Sequence, residues 1–300
     1  MSRHRIARVP LLARLRAALA HPRKATAAVA VAALAGALLL TPATSGAYTA
    51  SILNSTNTVG SAAAFFTCDS AFAADRSSAL FAYTLGQASN SPTAPDVVTG
   101  NSARAGIYRN GMVSSPTLPK ACPRDAGGSW QLAASSSQHM TTPLQITNPT
   151  TFSTEIWFKT TVAGGKLFSF GASQTAGGSQ YDRHTYIGAN GKLMFGIYNN
   201  GVEAITSPGV VNDGAWHHVV STLSPTTGLS LWLDGQRVAS NTAFRSPENT
   251  SGYWKIGGDT LGGSWTNVGP AYFTGSLRYA AVYSTVLTQA QIQNHYAAGR

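Results

Sequence analysis

Residues 216–238, WHHVVSTLSPTTGLSLWLDGQRV, carry the pattern that decides the fold. Leu229, Leu231 and Leu233 alternate with other positions, so they share one face of an extended strand. Asp234-Gly235 then supplies the positive φ angles that a two-residue hairpin turn requires. In the run before it, Trp216, His218 and Val220 share one face while His217 and Val219 share the other. The adjacent histidines therefore point apart and cannot chelate one metal from a regular strand. Neither has a carboxylate placed by sequence to orient it as a base, so both read as sheet residues rather than a catalytic pair.

The same punctuation extends outward. Asn190-Gly191 and Asn200-Gly201 divide residues 184–205, HTYIGANGKLMFGIYNNGVEAI, into two more hairpins. Short runs such as ALFAYTL, SWQLAAS, STEIWFKTT, GKLFSFG, YWKIGG and GSLRYAAVYS read as further strands. Trp157, Trp216 and Trp232 lie in such runs and read as core or sheet-face packing. One helix is predicted, at TQAQIQNHYAA near the carboxyl end, with Thr288 and Gln291 as a capping box and Ile292 and Tyr296 on one face. With no strand–helix alternation, the chain reads as all-β: two antiparallel sheets packed face to face in one domain.

The first 47 residues read as a signal peptide. A basic stretch (1–24) precedes sixteen uncharged residues, Ala25 to Leu40, and a run of small residues that predicts cleavage after Ala47. The alternative is an uncleaved anchor, which would make this segment the chain's one membrane contact; a spanning helix usually needs about 20 apolar residues. The basic stretch holds seven of the 21 Lys and Arg residues, and removing it leaves fourteen against eleven acidic side chains. That balance is too weak for a phosphate-neutralising surface, so no nucleic-acid partner is expected. Residues 48–77, rich in Ser, Thr, Asn and Ala, read as an exposed leader. In an exported chain, Cys68 and Cys122 are expected to form a disulfide, with two buried thiols as the alternative.

Several of these segments carry a family resemblance. Residues 216–238 resemble the most recognisable segment of laminin G-like, concanavalin A-like jelly-roll domains. ALFAYTLG resembles their opening strand, FSTEIWFKT the strand with a central tryptophan, and YWKIGGD with YFTGSLRYAAVYSTVLTQAQIQNHY their closing strands and terminal helix. The resemblance implies a jelly-roll sandwich over 78–300. It does not choose a function, because the fold hosts lectins, adhesion modules, glycoside hydrolases and spacers. The leader, with the long basic segment, resembles the amino termini of bacterial exported proteins processed by the signal peptidase that handles biofilm-fibre proteins.

Three chemistries follow as expectations. Glucanases of this fold carry glutamates alternating along one strand, but Glu155, the one glutamate here on a recognisable strand, has Trp157 and Lys159 at those positions; Glu203 and Glu248 lie in or beside turns. The family resemblance raises calcium as a cofactor, with Asp96 in the place of the opening-loop aspartate and Asn101 adding a carbonyl oxygen. Arg278 and Tyr279 stand where relatives have an acidic pair, and Asp96 capping a turn is the alternative. Carbohydrate sites combine an aromatic platform with fixed polar groups, which two loops offer: Tyr181, Asp182 and Arg183 in one, Asp259, Trp265 and Asn267 in the other. Trp265 reads as an exposed platform or a lid on the core, and Asp182–Arg183 as a ligand clamp or a solvated ion pair. No G-x-S-x-G, H-E-x-x-H or P-loop motif occurs. The expected function is a secreted or cell-surface binding module for a polysaccharide or an extracellular protein. A matrix structural protein and a glucanase are the alternatives.

Overall fold

The computed structural model describes residues 67–300 and, before them, the ladder pairing β1 (Leu53–Asn54) with β2 (Asn57–Thr58). The predicted signal peptide, its cleavage point and most of the leader lie outside the described residues. The remaining strands form two antiparallel sheets, as the turn punctuation predicted. One runs β16 (Gln236–Asn241), β15 (Gly228–Leu233), β14 (Trp216–Ser224), β9 (Phe152–Lys159), β18 (Gly275–Tyr283), β7 (Ser129–Leu132), β6 (Val113–Ser115), with β3 (Ala79–Tyr83) also on β18. The other runs β13 (Val202–Val210), β12 (Lys192–Tyr198), β11 (Tyr181–Ile187), β10 (Lys166–Gly171), β17 (Gly252–Ile256), β8 (His139–Ile146), β5 (Gly106–Arg109), β4 (Thr93–Ala94). We call them the helix-side and groove-side sheets.

The opening hairpin forms as read. Val219 pairs with Leu233 and Leu223 with Leu229, and the turn residues Asp234 and Gly235 have φ 51° and 75°. Leu229, Leu231, Val219 and Leu223 face the groove-side sheet and join Phe152, Phe158, Phe195 and Trp254 in one core. Phe152 packs edge-on against Phe195 and Trp254, with ring centroids 6.2 and 5.1 Å away. One polar pair spans the core, the Thr185 and Ser221 hydroxyls at 2.7 Å, each saving the other from an unmade hydrogen bond.

The far face of the helix-side sheet is covered too. Trp157, Trp216 and Trp232 lie there in a second apolar cluster, in keeping with their reading as packing residues. The terminal helix α2 (Gln289–Ala298) covers it with Ile292, and Thr288 and Gln291 form the expected capping box.

A second helix, α1 (Cys68–Ala74), corrects the leader reading. Thr67 and Ser70 form a capping box, Ala71 and Phe72 are buried against the sheet, and Cys68 is disulfide-bonded to Cys122. The folded unit therefore includes Thr67, eleven residues before Ser78. The helix was hidden because its seven residues are too few to show a helical period, and what holds it lies far away in sequence. The Asp125 carboxylate accepts from the Cys68 and Asp69 amides at 2.8 and 2.9 Å, capping the helix start. Tyr279 donates to Asp69 Oδ1 at 2.9 Å, from a bulge in β18 where Tyr279 has φ 48° and the strand's neighbour changes from β7 to β3.

Candidate functional site

Strand geometry separates the paired histidines as expected, but both have carboxylate partners that sequence did not place. His217 lies between Asp234 (Nδ1 to Oδ2, 2.8 Å) and Asp213 (Nε2 to Oδ1, 3.1 Å). His218 Nε2 meets Glu155 Oε1 at 2.7 Å, in a region sealed by α2. There His295 Nδ1 approaches both Glu155 oxygens at 2.9 and 3.0 Å, its Nε2 meets Asp75 Oδ2 at 2.8 Å, and the Tyr283 hydroxyl donates to Glu155 Oε2 at 2.7 Å. Burial alone would raise the Glu155 pKa, but His295 and His218 hold it well below the usual carboxylate range. Burial likewise opposes charge on His295, yet Glu155 and Asp75 raise it to about 9. Glu155 is 1% exposed. It is a structural carboxylate with no path to a substrate, which removes it from the glucanase reading.

Asp96 and Asn101 do not fit calcium. Asp96 Oδ1 accepts from the Ala82 and Val98 amides at 3.0 and 3.1 Å, and Oδ2 from the Thr99 hydroxyl at 2.9 Å. Those donors occupy the lone pairs a metal would need, and the Arg104 guanidinium stands 4.0 Å from Oδ2. Asn101 turns its Oδ1 onto the Ala103 amide at 2.9 Å. The turn-cap alternative is what forms. Millimolar calcium is accordingly expected to leave the melting temperature of the chelated protein unchanged, and a calcium-dependent rise in calorimetry would contradict this.

On the groove-side sheet, the loop 257–273 folds across the outer faces of β10 and β11. Asp259 is its anchor: buried at 1% exposure, it pairs with Lys255 Nζ at 3.1 Å and accepts from Ser169 Oγ, Gly177 N and Thr260 N at 3.0, 3.1 and 2.8 Å. Nothing is left to hold a ligand. Beneath the loop, burial pulls the Lys166 ammonium down to about 7, against the attraction of Asp259 and with Lys255 adding repulsion. Lys166 donates to the Thr260 carbonyl and lies 3.2 Å from His184 Nε2.

Trp265 resolves as the lid. At 6% exposure it packs on His184 and Tyr186, with ring centroids at 4.3 and 6.2 Å, and Tyr186 Oη donates to the Thr266 carbonyl at 2.7 Å. The exposed-platform expectation for Trp265 is therefore corrected: tilted packing on the imidazole and edge-on packing on the tyrosine leave the indole 6% exposed. Asp182 and Arg183 are buried rather than solvated, at 1% and 0% exposure, and form an ion pair at 2.8 Å. Arg183 lies over Phe170 and donates to Pro149 O, Asn148 Oδ1 and Glu248 O, while Asp182 accepts from the Tyr198 amide at 2.6 Å. Burial pushes the Asp182 carboxyl above its ordinary value despite Arg183. The pair therefore fixes the hairpin and the neighbouring loop. Asn267 is exposed at the far end of the loop, its carbonyl accepting from Ala189 N at 2.8 Å.

Tyr181 alone of the predicted set presents a half-buried aromatic side chain to an open groove. Its ring stacks on His184 at 5.5 Å, and the groove, about 320 Å³, runs between it, Tyr198, Glu248, Trp265 and the Gly262–Ser264 backbone. The Glu248 side chain has no hydrogen-bond partner or ion pair among the described residues, although its backbone is engaged. Sequence reasoning missed Tyr198 and Glu248. An aromatic residue just before Asn199-Asn200-Gly201 was the one local signal for Tyr198, since a residue at the mouth of a tight turn is rarely fully covered.

A family model for the concanavalin A-like lectin/glucanases superfamily matches residues 134–293. No curated protein matches the chain. Similar solved structures include the binding domain of a paraclostridial mosquitocidal protein (11% identity, TM-score 0.53), covering 74% of this chain and 52% of that one. Botulinum neurotoxin type C, whose cell entry depends on interaction with two ganglioside molecules, matches at 10% identity and TM-score 0.54, covering 76% and 53%. The binding domain of botulinum neurotoxin DC, in complex with rat synaptotagmin II, matches at 12% and 0.52, covering 75% and 52%. The chain spans about half the length of each, and identities this low show a shared fold.

Proposed function

Because the chain belongs to the concanavalin A-like lectin/glucanases superfamily, we propose that it is a non-catalytic binding module, exported from the cell, whose groove beside Tyr181 takes a neutral carbohydrate. The observation that carries this is the composition of the groove. Sugars present apolar C–H faces and hydroxyl rims, which match a tyrosine ring beside polar acceptors. Tyr181 and Tyr198 supply the rings, and Gln180, Ser264 and the unpaired Glu248 carboxylate supply the hydrogen bonds. The groove is held rigid from behind by Asp182–Arg183 and by the Asp259-anchored loop, so little ordering entropy is lost on binding. Of the similar solved structures, one belongs to a toxin whose cell entry depends on interaction with two ganglioside molecules and one is in complex with rat synaptotagmin II, which supports recognition rather than turnover. A polysaccharide is favoured over a protein because the groove joins tyrosine rings to the polar groups of Ser179, Gln180, Glu248 and Ser264. Export is supported by the signal-peptide layout of residues 1–47 and by the disulfide, a bond that persists in oxidising compartments.

A glycan array followed by calorimetric titration tests the reading. Binding of a neutral glycan is expected, and Tyr181→Ala should weaken it about tenfold, the equivalent of one stacked ring. An array without signal, or an affinity indifferent to Tyr181→Ala, would sink it.

A further inference from the structure

We infer that a second binding site, specific for a carboxylated sugar, lies on the opposite side of the sandwich. A cavity of about 410 Å³ opens where the ends of β9 and β14 meet the carboxyl end of α2, within the roughly 300–1,000 Å³ range of small-molecule sites. Trp157 and Trp216 line it together with Lys120, Lys159 and His217. Trp216 cannot swing out of the wall, because its Nε1 donates to the Pro119 carbonyl at 2.7 Å. The indole edges, 2% and 7% exposed, therefore form a fixed apolar wall with Pro119 and Pro123 beside two ammonium groups.

The charge there is not internally neutralised. The two acids nearest the cavity are already engaged: Asp234 by the His217 ring and the His218 amide, Asp213 by the His217 ring and the Ala215 amide. Lys159 is half-buried, and its ammonium has neither a hydrogen bond nor an ion pair among the described residues. Lys120 makes only a long contact, 3.4 Å, to the Asp125 carbonyl. His217 serves those two acids: burial disfavours its charge, but Asp234, which also lines the cavity, and Asp213 outweigh that and raise its pKa, so the positive charge offered to a ligand is that of the lysines. A bare inorganic anion would use the ammoniums and leave the apolar wall uncovered. A sugar ring bearing a carboxylate uses both, its C–H face against an indole edge and its carboxylate between Lys120 and Lys159. The groove at Tyr181 has the reverse character, with an unpaired Glu248 and no lysine on its rim, so it repels the ligand this cavity attracts.

Uronic and sialic acids share this chemistry. The full chain is titrated calorimetrically with trigalacturonate and with sialyllactose, using galactotriose and lactose as neutral counterparts. In the Tyr181→Ala variant, where the neutral groove is weakened, at least one acid is expected to bind more tightly than its neutral counterpart, and the acid that binds identifies the source. Lys159→Gln should weaken that binding about tenfold, the value of one charge-assisted contact, with an unchanged melting curve. Lys120→Gln serves as the second variant, and Tyr181→Ala should leave acid binding intact. Absence of binding by both acids, equal binding of a neutral counterpart in the Tyr181→Ala variant, or an acid affinity unmoved by both lysine variants would overturn the proposal. Neutral-glycan binding at the groove is read from its weakening in Tyr181→Ala and acid binding from its weakening in the lysine variants, so the two readings fail separately.

Discussion

Glu155→Gln is expected to destabilise the protein by about 3–5 kcal/mol, the usual cost of removing one partner from a buried charge pair. The amide keeps the volume but loses the charge that faces His295, and it cannot accept from His218, His295 and Tyr283 together. Denaturant unfolding measures the loss, and a change below about 1 kcal/mol would show that the histidines find other partners. The pH profile gives an independent readout. His295 has a folded pKa of about 9 against an ordinary 6.5, so its contribution is fully present below 6.5 and is lost as pH rises toward 9. Glu155 has a lowered folded pKa, so its contribution is present above its ordinary 4.5 and is lost as pH falls below that. Stability from this cluster should peak between those two ordinary values. In Glu155→Gln both flanks should flatten, because each depends on the same pairing. Neutral-glycan binding should be unaffected under folding conditions.

Replacing both Cys68 and Cys122 with alanine should cost about 3–5 kcal/mol in the chain-entropy account of a loop this long. The bonded cysteines are 54 positions apart. The loss should reach further than the crosslink. Asp75, the residue after α1, supplies the second carboxylate to His295 and accepts from Gln291 of the terminal helix. Loosening α1 therefore weakens the hold on α2. A double-mutant cycle between the cysteine pair and Asp75→Asn should show a non-additive coupling of roughly 0.5–3 kcal/mol, whereas simple additivity would mean that α1 stays docked without its crosslink.

The elements legible in the sequence were those whose cause is local. Alternation in residues 216–238 and the Asp234-Gly235 turn produced β14, β15 and their pairing as read, and Thr288 with Gln291 marked the start of α2. Helix α1 was illegible because its stability comes from Asp125, Tyr279 and the crosslink rather than from its own seven residues. Among the candidate ligand residues, Tyr181 was found by its loop, while Asp182, Arg183 and Asp259 had the right chemistry in the wrong place. A charged side chain in a glycine-rich loop looks the same whether it faces solvent or anchors the loop from beneath.

By itself, the sequence determined the class of fold, the turns and the terminal helix, because side-chain alternation, positive φ and capping depend on residues a few positions apart. Tertiary structure alone decided which polar groups are available to a ligand. Glu155 meets His218 from 63 positions away and His295 from 140, and His295 meets Asp75 from 220, so partnership and burial arise only when the sheets stack and the helices dock. The same closure that consumes Glu155, Asp96, Asp182 and Asp259 leaves the Glu248 and Lys159 side chains without a hydrogen bond or ion pair among the described residues. Those leftovers, on opposite faces of the sandwich, are where binding is to be sought.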